Sequence, residues 1–212
     1  ETPRPVRVAV TLEQCWHRVP GGTATSILGL VRALTARPGR DVDVVGVSAR
    51  HAGPPPEPAL RPPVPVRHLP LPRLALYEAW HAPGPLRWPP VQHATGPVDV
   101  VHATAVALPP AGGAPLVATV HDLAFLHEPG AFTRHGLRFL RRGTELTRRH
   151  AQVVVVPSEA AAAECRSAGF DPARIRVVPW GHDAVAATAA DVDRARATYR
   201  LPERYVLFVG TL

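Results

Sequence analysis

Apolar residues along this chain gather into short β-branched runs, separated by stretches with helical spacing. Arg7 to Leu12 (RVAVTL) is the first run and reads as a strand of the buried, parallel kind. A loop from Glu13 to Gly22 follows and ends Pro20-Gly21-Gly22. From Thr23 to Ala36, Ile27, Leu30, Val31 and Leu34 recur at helical steps, which predicts a helix capped by Thr23 or Thr25. Asp41 to Val47 (DVDVVGV) reads as a second strand, so the N-terminal segment is a βαβ unit. Further strands are predicted at Val98 to Ala103, Pro115 to Val120, Gln152 to Val156 and Ile175 to Val178. Helices are predicted from about Thr133 to His150, and from Ser158, a good cap, to Ala168, with Gly169 ending the second. A short helix is expected from Asp191 to Tyr199, then a fresh strand from Tyr205 to Val209.

Residues 51–97 break the pattern, because 14 of these 47 positions are Pro. Pro lacks the amide that a ladder needs, so this segment is expected to hold extended and turn structure with one short helix near Leu74 to Trp80. Its aromatics Tyr77, Trp80 and Trp88 argue against disorder. The alternation of strands and helices elsewhere points to an α/β fold with a Rossmann-like parallel sheet flanked by helices.

Composition changes this picture little. The net charge is +7, yet every basic residue is Arg and none is Lys, so the excess reflects composition as much as a ligand. No zinc-finger spacing or aromatic RNA-binding signature is present, and no nucleic-acid partner is expected. Met is absent even at position 1, which suggests that the natural chain starts earlier. Cys15 and Cys165 lie far apart and lack metal-ligand spacing, which suits a reducing cytoplasm better than a disulfide framework. No apolar run approaches the roughly 18 to 20 residues that span a bilayer.

Candidate chemistry sits at turns. Gly21, Gly22 and Thr23 occupy a strand-to-helix turn, where close backbone approach and a helix N-terminus favour an anion or a sugar hydroxyl; an ordinary tight turn is the alternative. His121 and Asp122 follow the strand PLVATV, at the end of the sheet where open α/β folds bind ligands. The imidazole would contact a sugar or phosphate, and Asp122 would orient it or cap the next turn. His102 is a weaker candidate that reads as structural. Arg134, Arg138, Arg141 and Arg142 recur on one helix face beside a stripe of Leu137, Leu140 and Thr144. Together with Arg148 and Arg149 they suit an anionic membrane surface, although a solvated face is the reading that composition favours. Ser158 stands in no G-x-S-x-G elbow, and the G-x-G-x-x-G dinucleotide fingerprint is missing.

Five blocks in order, V-T-L-E-Q-C…P-G-G-T-A-T-S, T-V-H-D-L-A-F-L-H-E-P, V-V-V-V-P-S-E, R-I-R-V-V-P-W-G-H-D and L-P-E-R-Y-V-L-F-V-G-T-L, resemble glycosyltransferase family 4. The resemblance implies a GT-B architecture of two Rossmann-like domains. Residues 1–182 would be the N-terminal, acceptor-side domain, with 51–97 as a Pro-rich insertion. Residues 183–204 would be a linker, and 205–212 the start of a truncated donor-binding domain. It implies a retaining transferase moving a sugar from a nucleotide-sugar to a glycan, lipid-linked or small-molecule acceptor. His121 would be the catalytic-cleft histidine, and Gly21, Gly22, Thr23 and Asp122 the donor and acceptor contacts. The nucleotide-sugar is a substrate, and no metal or other cofactor is expected. A cytoplasmic location follows, with peripheral contact to the inner membrane face through the Arg134–Arg149 helix. The family's basic pair and paired glutamates would follow Leu212, so the fragment alone is expected to be inactive. The hinge departs from the family's usual N-G-V-D, reading Trp180-Gly181-His182-Asp183. A GT-B nucleotide-sugar epimerase and a non-catalytic glycan-binding module are the alternatives.

Overall fold

The computed structural model describes residues 4–39, 41–181 and 186–208. They fall into two units, Glu1–Trp180 and Gly181–Leu212. The first unit is built on one all-parallel sheet. Its strands are β1 (Val6–Thr11), β2 (Val42–Ser48), β3 (Val66–His68), β4 (Val100–Ala103), β5 (Leu116–Thr119), β6 (Val153–Val156) and β7 (Ile175–Val177). They lie in the order β3-β2-β1-β4-β5-β6-β7. The chain thus winds outward from β1 in one direction, then starts again from β4 in the other. The strand order reverses between β1 and β4, the place where ligands enter doubly wound sheets.

Period-two alternation sends successive strand residues to opposite faces. Val10 and Leu12 join Ile27, Leu28 and Val31 of α1 (Gly21–Thr35) in one core. Ala9, Val47, Val101, Leu116, Val154 and Val156 build the larger core on the other side of the sheet. That core is closed by α2 (Arg73–Trp80), α5 (Arg134–His150) and α6 (Glu159–Ser167), with the short α3 (Gln92–Thr95) and α4 (Ala124–His127) in the connections. Gly46 lies where a Cβ would come within 2.4 Å of the Leu12 side chain, so the missing methyl makes room for that core leucine.

The segment 51–97 departs from expectation. It supplies a regular strand: β3 pairs in parallel with β2, Gly46 opposite Val66 and Ser48 opposite His68. A three-residue edge strand needs donors on one side only, which the prolines around it permit. Its helix α2 starts one residue before the expected position and buries Leu76 and Trp80. The Trp80 indole donates to the Pro89 carbonyl at 2.8 Å, and the Arg87 guanidinium donates to the carbonyls of Trp80, Leu108 and Pro109.

α1 begins at Gly21, two residues before the expected start, and neither Thr23 nor Thr25 caps it. Pro20 fills the cap position with φ near −73°, where the missing amide costs nothing, and makes no side-chain cap. α5 and α6 begin as expected, with Thr133 and Ser158 accepting from Gly136 and Ala161.

In the second unit α7 (Ala189–Tyr199) starts two residues earlier than expected, because Thr188 and Asp191 form a reciprocal capping box. The strand expected from Tyr205 is absent over Tyr205–Phe208, where Val206 is 99% exposed. A strand needs a ladder partner, and the described residues of this unit hold none. Val209, the following Gly210-Thr211-Leu212, and His182-Asp183 of the hinge lie outside the described residues.

Candidate functional site

The site is assembled where the strand order reverses. Thr11 ends β1, Thr104 follows β4, and His121 lies just past β5. The Thr104 amide donates to Thr11 Oγ1 at 3.0 Å, and Thr104 Oγ1 donates to the Thr11 carbonyl at 2.5 Å. His121 Nε2 lies 2.9 Å from the Thr104 carbonyl. A carbonyl only accepts, so Nε2 is the donor of this pair and Nδ1 is the ring nitrogen left over. Nδ1 is buried and has no partner among the described residues. The Trp180 ring, 52% exposed, lies 5.4 Å from the imidazole and is tilted by 52°. Two threonines therefore lock the strand ends and aim one histidine, and sequence reading had missed both threonines.

His102 lies deeper. Its Nε2 is 2.9 Å from Thr119 Oγ1, and burial, helped by nearby His121, lowers its pKa to about 4. It is a neutral ring inside the sheet, in line with its structural reading. Asp122 is exposed; its Oδ1 accepts from the Ala124 amide at 3.0 Å and opens α4. Glu164 of α6 holds the same turn through the Leu123 amide at 3.1 Å.

The glycine turn reaches this site through the β1–α1 loop. Gln14 Nε2 donates to the Pro20 carbonyl at 3.3 Å, one residue before the helix. The first bond of α1 runs from the Ala24 amide to Pro20. The amides of Gly21, Gly22 and Thr23 have no acceptor among the described residues and carry the positive end of a 15-residue helix. Gly21 holds φ +59°, which L side chains rarely adopt, and a Cβ at Gly21 or Gly22 would meet open space. Among the described residues, no hydrogen bond joins this turn directly to His121.

Sequence reading also missed Glu13. It is 5% exposed, and both its oxygens are engaged: Oε2 accepts from the Ala49 amide at 2.8 Å and both face His51 Nε2 at 3.0–3.1 Å. Trp16 stacks on His51 at 4.7 Å and meets His68 edge-on at 5.9 Å. Glu13 also lines a cavity of about 10 Å³ with Thr11, Gln14, Tyr77, Trp80 and Thr104, room for about one water. Burial first, then the Glu13 carboxylate, pushes the Tyr77 phenol well above its usual range. The only sequence signal was an acidic residue between the apolar pair Leu12 and Cys15. Among the described residues, no three His, Cys, Asp or Glu side chains are grouped to hold a metal ion.

The basic face of α5 is largely tied to neighbours. Arg142 donates to the carbonyls of His81 and Ala82, Arg138 lies 3.5 Å from Glu78, and Arg148 and Arg149 both pair with Glu145. The buried stripe is Gly143, Leu146 and Thr147, while Leu137, Leu140 and Thr144 are half-buried. Among the described residues, no helix is long and apolar enough to cross a membrane.

The sequence profile of Glycosyltransferase Family 4 matches residues 20–185, and no curated protein matches the chain. Among solved structures the chain is similar to Anabaena Alr3699/HepE in complex with UDP-glucose, with a TM-score of 0.57, 16% identity and coverage of 92% of this chain and 50% of that one. The same protein in complex with UDP and glucose gives a TM-score of 0.59 at 17% identity, and in complex with UDP 0.51 at 18%. At such identities the likeness is one of fold, a Rossmann-like GT-B domain. The chain spans about half the length of these structures.

Proposed function

Because the chain belongs to Glycosyltransferase Family 4, we propose that it is the acceptor-side half of a retaining hexosyltransferase that uses a nucleotide-sugar donor. The observation that carries this reading is the open N-terminus of α1, three amides at the strand reversal that have no acceptor among the described residues. The reaction needs positive charge where the leaving diphosphate gains negative charge, and these amides supply it without reorganising. His121 Nδ1 accepts a hydroxyl of the transferred sugar and so fixes the anomeric carbon. Asp122 acts through the turn that follows His121. The acceptor oxygen attacks on the face that the leaving group quits. The new C–O bond forms as the bond to phosphate breaks, and the acceptor proton passes to a phosphate oxygen. Residues 183–204 act as the linker to a donor-binding domain that begins at 205–212. UDP-sugars are the first donors to try, since UDP-glucose and UDP occupy the solved structures of similar fold.

The test is nucleotide release by the parent protein, carrying both domains, from UDP-, GDP- and ADP-sugars with and without a cell-derived acceptor extract. Acceptor-dependent release of one nucleotide is expected. In the same assay His121→Ala should lower kcat on the order of a hundred-fold, the scale of losing one oriented polar contact in a closed site. Unchanged turnover would remove His121 from the mechanism, and no release from any donor would favour a glycan-binding module.

A further inference from the structure

The transferase reading uses the His121 imidazole and leaves the indole beside it without a role. β7 is the outer strand of the sheet, two places from β5. Val178 prolongs its ladder, its amide donating to the Val156 carbonyl of β6 at 2.9 Å. Pro179 has no amide to continue the ladder. Trp180 comes next, and its ring centroid lies 5.4 Å from that of His121, which follows β5. Neighbouring strands are about 4.8 Å apart, so the indole reaches back across the carboxyl end of β6 to stand at the ligand end of β5.

Trp16 and Trp80 show what a structural indole does in this fold. Both pack against a hydrophobic core, and each donates its N–H to a carbonyl, of Gly53 at 2.9 Å and of Pro89 at 2.8 Å. Trp180 is 52% exposed, and its N–H has no acceptor among the described residues. Trp88 is as open, but it belongs to the Pro-rich segment and lies edge-on to His93, so what marks Trp180 is its neighbour rather than its exposure. The tilt of 52° against His121 makes a corner of the two rings and leaves much of the indole surface open. The face of an aromatic ring is electron-rich and gives nothing to a phosphate or a carboxylate. It suits a ligand that is apolar on its face and polar at its rim, with an acceptor for the N–H. A sugar ring has that pattern, C–H bonds on its faces and hydroxyls around its edge.

We infer that Trp180 is a sugar-binding residue whose open indole face takes the C–H face of a pyranose ring beside His121. What that ring belongs to rests on the transferase reading: it is the transferred sugar or a sugar of the acceptor, which share this chemistry.

Calorimetric titration of the parent protein, carrying both domains, with UDP and with UDP-glucose separates the parts, since the gain from the first to the second reads the sugar; if the release assay names another donor, that pair is used. Initial rates with the acceptor extract read the acceptor. If the indole holds the transferred sugar, Trp180→Ala and Trp180→Leu should each weaken UDP-glucose about five- to ten-fold and leave UDP unchanged, while Trp180→Phe, which restores a flat face, should recover most of the loss. If it holds the acceptor, the same order of variants should appear as a rise in acceptor KM at unchanged kcat, with UDP-glucose binding untouched. Trp180→Leu keeps the apolar bulk and carries the test should Trp180→Ala not fold. Weaker UDP binding would assign the indole to the nucleotide. No effect of any variant, or a fall in kcat alone with Leu as good as Phe, would leave it a packing role. Each of these results overturns the inference and leaves acceptor-dependent nucleotide release standing. If the parent releases no nucleotide from any donor, titration with maltose decides: binding that Trp180→Leu abolishes and Trp180→Phe restores would keep the sugar face and overturn the transferase reading, and no binding would overturn both.

Discussion

Acidification from pH 7 to pH 5 should strip this fold of a large share of its stability, through two histidines. His81 is 8% exposed, stacks on Phe139 at 4.3 Å, and has both ring nitrogens buried without a hydrogen-bonding partner among the described residues. Burial lowers its pKa from 6.5 to about 4, opposed by the nearby Val106 carbonyl and aided by Arg87 and Arg142. His102 is lowered to about 4 as well, by burial and then by His121. Both shifts are downward, so between pH 6.5 and 4 the unfolded chain binds protons that the folded chain refuses. Stability is therefore complete above the unfolded value and is lost as the pH falls toward the folded one. Linkage gives a loss of about 2 kcal/mol per histidine at pH 5, roughly 4 kcal/mol for the pair. That is a large part of the roughly 5–15 kcal/mol that holds a typical domain.

Urea denaturation measures the loss. With a slope of about 2 kcal/mol per molar, the midpoint should drop by roughly 2 M between pH 7 and pH 5. His17 and His150, also lowered by burial, act in the same direction. The carboxylates held low, Asp99 by Arg4 and then by the Arg7 amide, and Glu145 by Arg148, titrate below this window and do not confuse it. His81→Leu, close in volume, should remove about half of the pH dependence whatever it does to the midpoint at pH 7. A midpoint that is flat across this range would refute the burial argument for both rings.

The remaining predictions concern single groups. Gly143→Ala gains about 1 kcal/mol of helix propensity, yet its Cβ would come within 2.3 Å of the Val106 carbonyl, so a net loss of about 1–3 kcal/mol is expected in urea melts. A higher midpoint would show that α5 can shift away from that loop. Glu13→Gln keeps an acceptor for the Ala49 amide but sets an amide against His51, and should cost about 1–3 kcal/mol, read as a lower Tm. Cys15 and Cys165 are buried thiols, each pushed up to about 11 by burial and a neighbouring glutamate, so neither should react with a disulfide reagent at pH 8 until denaturant is added.

What could be read along the chain was what the backbone writes locally. Near-continuous β-branched runs announce buried parallel strands, and Ser158 and Thr133 cap their helices as their side chains dictate. The misses share one physical cause, since each depends on a partner distant in sequence. Val66–His68 is a strand only because β2 offers it a ladder, and Tyr205–Phe208 is none where no ladder is offered. Glu13 looks like a loop acid until folding brings the Ala49 amide and His51 to its two oxygens, 36 and 38 residues away. Thr11 and Thr104 are unremarked strand-end threonines until the reversal of strand order sets them side by side, 93 positions apart. His121 was singled out because its cue is positional: a histidine just past a strand of an open sheet lies at the end where such folds bind ligands, wherever its partners lie. Its aim is a different matter, since the Thr104 carbonyl fixes which nitrogen is free. The candidate side chains at the strand ends were thus legible in the sequence, whereas the residues that orient them follow from topology, which a single sequence does not spell out.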